Sequence, residues 1–181
     1  YNYADWLFLN RIDHYFDVTK TQNVFLKQQL KQHFAWHRQS ELPLYVDFLT
    51  TFKAKAQDGL TKEELDWVFD NFKARRQQLF NRLLPDTADF LSTLSPAQID
   101  YFEKKVIKPQ VKVERSDEEI QKRLEERAEK YLEKMEGWFG TFSKNQKYRI
   151  KRLTFAIPDI KDDWAAYRHQ RRKELIAFLR I

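Results

Sequence analysis

His33 and His37 lie four residues apart in a helical stretch, a spacing that turns two imidazoles to one side of a helix. A catalytic zinc helix would carry Glu after the first His, but Phe34 stands there, and no spacing identifies a third ligand. The pair therefore reads as surface or partly packed histidines, with no metal expected. Asp66 and Asp70 form an i,i+4 carboxylate pair, and Asp159, Asp162 and Asp163 gather at a helix start. Paired carboxylates can hydrolyse glycosides, but acids also collect at helix N-termini because the dipole favours them. A cell-wall glycan enzyme is thus a remote alternative, needing two carboxylates across a cleft. There is no Gly-rich phosphate loop, no G-x-S-x-G elbow, no EF-hand loop and no cysteine. The expected protein is not an enzyme, and no cofactor is expected.

The larger concentration of chemistry is cationic. Lys144, Lys147, Arg149, Lys151 and Arg152 fall in one helical stretch, and Arg168, Arg171, Arg172 and Lys173 in the next, with Tyr148 and Tyr167 among them. Residues 137–181 hold eleven Lys and Arg against four Asp and Glu, whereas 114–136 hold nine acids against six cations. These nine cations are the candidate anion-binding residues, suited to an anionic membrane or cell-wall surface. Helix-turn-helix and RNA-module signatures are missing, so no specific nucleic acid is expected. The competing reading is a solvated face that complements the acidic helix upstream. The N-terminal stretch, with Trp6, Asp13, Tyr15 and Asp17, is a candidate recognition segment. Its plainer reading is a segment, 1–17, docked onto the core by its Trp.

Helices must position these groups. One phrase occurs four times: an apolar residue, Ser or Thr, two residues, then Gln or Glu. The copies place Thr19 with Gln22, Thr61 with Glu64, Ser95 with Gln98 and Ser143 with Gln146. Each is a capping box, in which hydroxyl and N3 side chain satisfy each other's backbone amide at a helix start. Ser116 with Glu119 adds a further capping signal. A first helix is expected from Ala4 to Ile12, with a loop over 13–17. Ser40 and Pro43 mark a break or a new first turn, and Asp58-Gly59 a stop. Leu65, Val68, Phe69, Phe72, Leu79, Phe80 and Leu83 make a broad apolar stripe that should end near Leu84-Pro85. Pro109 should kink or end the helix from Ser95, and Gly137 and Gly140 should loosen the chain. The last helix should turn Ile160, Trp164, Tyr167, Leu175, Phe178 and Leu179 inward. Outer i,i+4 pairs are expected at Glu118–Lys122, Glu119–Arg123 and Glu126–Lys130.

The 181 residues contain three Gly, five Pro and 28 aromatics (15 Phe, 8 Tyr, 5 Trp), the rings expected to fill space between helices. No segment is apolar for long enough to span a membrane. The fold class expected is all-α: a compact bundle of seven or eight helices, largely antiparallel hairpins, in a single domain over 1–181.

Tyr1-Asn2-x-x-Asp5-Trp6-Leu7, followed by Arg11-x-Asp13-x-Tyr15-x-Asp17-Val18-Thr19-x-x-Gln22, resembles the start of the mature part of an uncharacterised bacterial envelope lipoprotein family. Trp36-His37-Arg38 and Leu42-Pro43-x-Tyr45 extend that likeness. The resemblance implies export to the periplasm, a lipidated Cys upstream of Tyr1 that anchors the protein to the inner or outer membrane, and a helical domain facing the periplasm. Leu94-Ser95-x-x-Gln98 and Val18-Thr19-x-x-Gln22 also resemble the Leu-Thr-x-x-Gln motif of the Spy/CpxP-type periplasmic chaperones. The expected function is accordingly that of a periplasmic lipoprotein domain acting by binding, chaperone-like or as an adaptor, with an envelope protein as partner. The alternative is a binding module for anionic polymer or membrane surface.

Overall fold

A computed structural model describes residues 3–107 and 116–181, and these are all-α. The expectations at Tyr1, Asn2 and Pro109 lie outside the described residues. In chain order the helices are α1 (Ala4–Phe16), α2 (Lys20–Trp36), α3 (Leu42–Lys55), α4 (Lys62–Ser92), α5 (Pro96–Val106), α6 (Asp117–Phe139), α7 (Lys144–Ala156) and α8 (Lys161–Leu179). No described helix is long and apolar enough to cross a membrane. Two compact units form, one of Tyr1–Val106 with Leu175–Ile181, the other of Ile107–Glu174.

The helix starts are made locally. Thr19, Thr61, Ser116 and Ser143 each accept from the N3 amide while the N3 side chain accepts from the cap amide. Ser95 and Gln98 exchange the same two bonds at 3.1 and 3.3 Å. In the first unit, Leu9, Leu26 and Phe90 are buried together, with Ile12, Phe16, Phe25 and Leu30 packed against them. A smaller aromatic core joins α3 to α4, where the Phe48 ring meets Phe52, Trp67 and Phe72 at 5.2–6.3 Å. The end of α8 is fastened to α5 by Arg180, which reaches Asp100 and Glu103 at 2.6 Å each.

Two capping boxes of this unit meet. The Gln22 and Gln98 side chains, both buried, donate to each other's Oε1 at 3.2 and 2.8 Å. Each Oε1 also accepts from its own cap amide. Gln98 Nε2 bonds the Phe16 and Asp17 carbonyls that end α1, and Gln22 Nε2 bonds the Thr93 carbonyl that ends α4. Two helix starts thus cap two helix ends crosswise, satisfying the Phe16, Asp17 and Thr93 carbonyls.

Several expected boundaries move. α1 continues through the expected loop to Phe16 and closes at Asp17, whose φ of 49° is left-handed and whose amide bonds Asp13 O at 2.8 Å. Ser40 and Pro43 do not break the chain. His37–Glu41 forms one π-helical turn, with the Leu42 amide on His37 O, and Pro43 sits in the first turn of α3, where its missing N–H costs little. α4 runs through Pro85 to Ser92, so the expected end at Leu84-Pro85 is not one. Phe90 beneath it is buried in the main core, and burial there outweighs the loss of one ladder bond. Gly137 lies inside α6, and Gly140, at φ 81°, ends it.

In the second unit α6 packs against α7 through Ala128 and Leu132. Two arginines of α6 hold the turn between α7 and α8. Arg127 donates to the Thr154, Ile157 and Pro158 carbonyls, and Arg123 binds Asp159 at 2.6 Å and Asp162 at 3.0 Å. The expected Glu119–Arg123 pairing gives way to this arrangement, because Glu119 serves the Ser116 cap instead. The carboxyl of Asp159 is held below the usual Asp range, first by the Arg123 hydrogen bond.

Candidate binding surfaces

The nine cations picked out by sequence do not form one uncommitted face. Lys147 pairs with Glu136 at 2.8 Å and Lys151 with Glu129, so the α7 cations turned toward α6 neutralise its acids. The Lys147 ammonium, by its hydrogen bond first, keeps Glu136 below the usual Glu range. Arg171 is taken by Glu174 at 2.6 Å, and the Arg168 guanidinium lies 5.9 Å from the Trp164 ring centre. Sequence reasoning passed over another cationic site because its residues belong mostly to the acidic helix. Arg123, Arg127, Lys130, Lys134 and Lys161 surround a pocket of about 370 Å³, together with Glu126 and Asp159.

In the N-terminal segment, Trp6 is 59% exposed and does not dock α1; the buried residue of that helix is Leu9. Asp13 accepts from the Val18 amide at 3.1 Å, and the Tyr15 hydroxyl accepts from Arg11 at 2.8 Å. Asp13 thus shapes the α1–α2 corner, while the Tyr15 contact stays within α1. His33 and His37 have separate environments. His33 Nε2 donates to Asp86 at 2.8 Å, and the His37 ring lies 6.1 Å from that of Tyr45. No group of three metal-ligating side chains occurs among the described residues.

The aromatic stripe of α4 departs most from expectation. Phe69 is 68% exposed, and Phe72 and Phe80 are exposed too, as are Val46 and Leu49 on α3. α3 reaches α4 through Trp67, Phe72 and Arg75, so Phe69 and Phe80, rings expected in a core, stay on its surface. The last helix behaves likewise, with Ile160, Trp164, Tyr167 and Phe178 exposed and Ile176 buried. Beside the α3–α4 hairpin, Phe69, Phe72 and Leu79 form the apolar side of a groove of about 510 Å³, rimmed by Lys73, Arg75 and Arg76. The steps 69, 72, 76 and 79 follow the helical repeat, so the apolar row and Arg76 share a face.

At the end of this groove the π-helical turn sets a buried ion pair. Glu41 is 2% exposed, and its Oε2 lies 3.6 Å from Arg75 Nη1, while the Arg75 guanidinium also covers the Tyr45 ring at 5.3 Å. Glu41 Oε1 and Arg75 Nε have no hydrogen-bond partner in the protein. The turn's extra residue advances Glu41 and Tyr45 around the helix relative to α2. Ser40 and Pro43 marked a discontinuity here, but nothing in the residue types of His37–Glu41 specifies a π-helical turn.

No curated protein and no solved structure matches the chain. Residues 14–181 match a family of unknown function, DUF6279, and the chain belongs to that family.

Proposed function

We propose that this member of the DUF6279 family acts by binding rather than catalysis, as a chaperone-like or adaptor domain of the bacterial envelope. The observation that carries the reading is the groove beside α3 and α4. Phe69, Phe72 and Leu79 stay accessible there, next to Lys73 and Arg76. Exposed aromatic rows of this kind, rimmed by charge, are a recurring feature of protein contact surfaces. An amphipathic segment with apolar side chains at helical spacing and flanking acids fits the groove in both shape and charge. The periplasmic location and the lipid anchor upstream of Tyr1 are part of the same proposal. They rest on the resemblance of the N-terminal residues to envelope lipoproteins.

A second reading, a module for an anionic membrane or cell-wall surface, finds better support in Lys130, Lys134 and Lys161 around that pocket than in the committed cations of α7. Affinity capture of the full-length lipidated protein from envelope extracts, at low and at high salt, separates the two. One stoichiometric protein partner retained at high salt, and lost with Phe69→Ser, is the expected result. Recovery of polyanion alone, released by salt, would overturn it.

A further inference from the structure

The α6–α7 hairpin of the second unit ends in two exposed rings. Glu136 pairs with Lys147 and Glu129 with Lys151, so the two helices run antiparallel and residues 137–143 form the tip. Trp138 is 85% exposed there and Phe139 70%. Gly140 stops α6 one residue later, its amide on Glu136 O at 2.9 Å. The Glu136 carboxylate also accepts from the Phe142 amide at 3.3 Å, which ties the turn back to the helix. Both rings thus project from ordered helical backbone, and covering them orders no loop.

The charge around the tip is almost entirely of one sign. Residues 134–152 hold six Lys and Arg against one acid, Glu136, which Lys147 neutralises at 2.8 Å. Lys134 lies one turn before Trp138 on the same face of α6, and Lys144 opens α7. Both are exposed and pair with no acid among the described residues. Aromatic rings at a protruding end, with cations one turn behind, match the layering of an anionic bilayer. Indole and phenyl rings settle at the boundary of headgroups and acyl chains, while ammonium groups meet the phosphates. A protein partner would need a concave pocket to cover such an end, whereas a fluid lipid surface closes around it.

We infer that the α6–α7 tip docks the protein on an anionic lipid bilayer, with Trp138 and Phe139 entering the headgroup–acyl boundary and Lys134 and Lys144 on lipid phosphates. The inference rests on the anionic-surface reading above and narrows it to lipid and to one end of the second unit. It is independent of the α3–α4 groove.

The test is co-sedimentation of the 181-residue chain with vesicles of phosphatidylglycerol and phosphatidylethanolamine, against neutral phosphatidylcholine vesicles. The expected result is saturable binding to the anionic vesicles, with the neutral ones weaker by about tenfold or more. Trp138→Ser with Phe139→Ser should weaken anionic binding about tenfold or more while helical circular dichroism is retained; Trp138→Ser alone serves if that variant unfolds. Lys134→Glu with Lys144→Glu should cause a loss of similar size and flatten the salt dependence. Phosphatidylglycerol brominated on its acyl chains should quench the parent's tryptophan fluorescence, and most of that quenching should vanish in Trp138→Phe. Parental binding by the folded serine variant, or equal quenching in Trp138→Phe, would overturn the tip assignment and leave the anionic-surface reading standing. Equal binding to neutral vesicles would overturn the role of the cations. No binding to any vesicle would sink the bilayer as the occupant, as would a concentration-dependent dimer that the serine variant abolishes.

Discussion

Glu41 and Arg75 show how a single residue's surroundings set its energetic role. A carboxylate 2% exposed is stable only beside its cation, and here it keeps one oxygen without a protein donor. Arg75→Ala should therefore destabilise by about 3–5 kcal/mol in urea unfolding, whereas Glu41→Leu with Arg75→Met should recover most of that loss. The capping glutamines make a second contrast. Gln98→Glu preserves the formal capping box but turns a carboxylate toward the Phe16 and Asp17 carbonyls and removes the donor to Gln22. A loss of about 1–3 kcal/mol is expected there. Gln146→Glu, at an exposed box, should stay within about 0.5 kcal/mol, both read from denaturant midpoints. The caps were legible because their chemistry joins residues three apart. The Gln22–Gln98 contact was not, since 76 residues separate its partners and neither local sequence mentions the other.

Among the elements, local rules were decisive where nothing opposed them. Gly140, at positive φ, ends α6, and α3 stops at Lys55, just ahead of Asp58-Gly59, where Gly59 also has positive φ. They yielded where packing opposed them, as at Pro85, which α4 absorbs to carry Phe90 into the core. The π-helical turn offers a direct test. Deleting Ser40 would restore α-helical spacing and rotate α3 by about 100° relative to α2. It would pull Glu41 from Arg75 and Tyr45 from the groove, so unfolding should show at least the loss seen for Arg75→Ala. The turn between α7 and α8 predicts a pH response. Its Asp159 titrates below the usual Asp value because of Arg123, so its stabilisation is complete above that value and is lost as pH falls through the depressed one. Thermal unfolding followed from about pH 6 to about pH 2.5 should fall less steeply in Asp159→Asn than in the parent.

For the whole molecule, the all-α class was legible from helical periodicity and few glycines, but the direction each apolar face would point was not. Periodicity reports that a face exists, not whether a neighbour covers it, and α4 is longer than the helices available to cover its rings. Phe69→Ser with Phe80→Ser should hence leave stability within about 1 kcal/mol while reducing the fluorescence of a bound apolar dye. Had those rings formed a core, the same pair would unfold the protein. The reciprocal amide bond of Gln22 and Gln98 bears on how such a chain changes over generations. Each glutamine caps its own helix, closes the other's corner and supplies the other's donor, so neither position is free to drift alone. Across related chains the two sites should be inherited as a couple, both amides kept or both exchanged together, while the exposed caps at Thr61 and Ser143 vary independently.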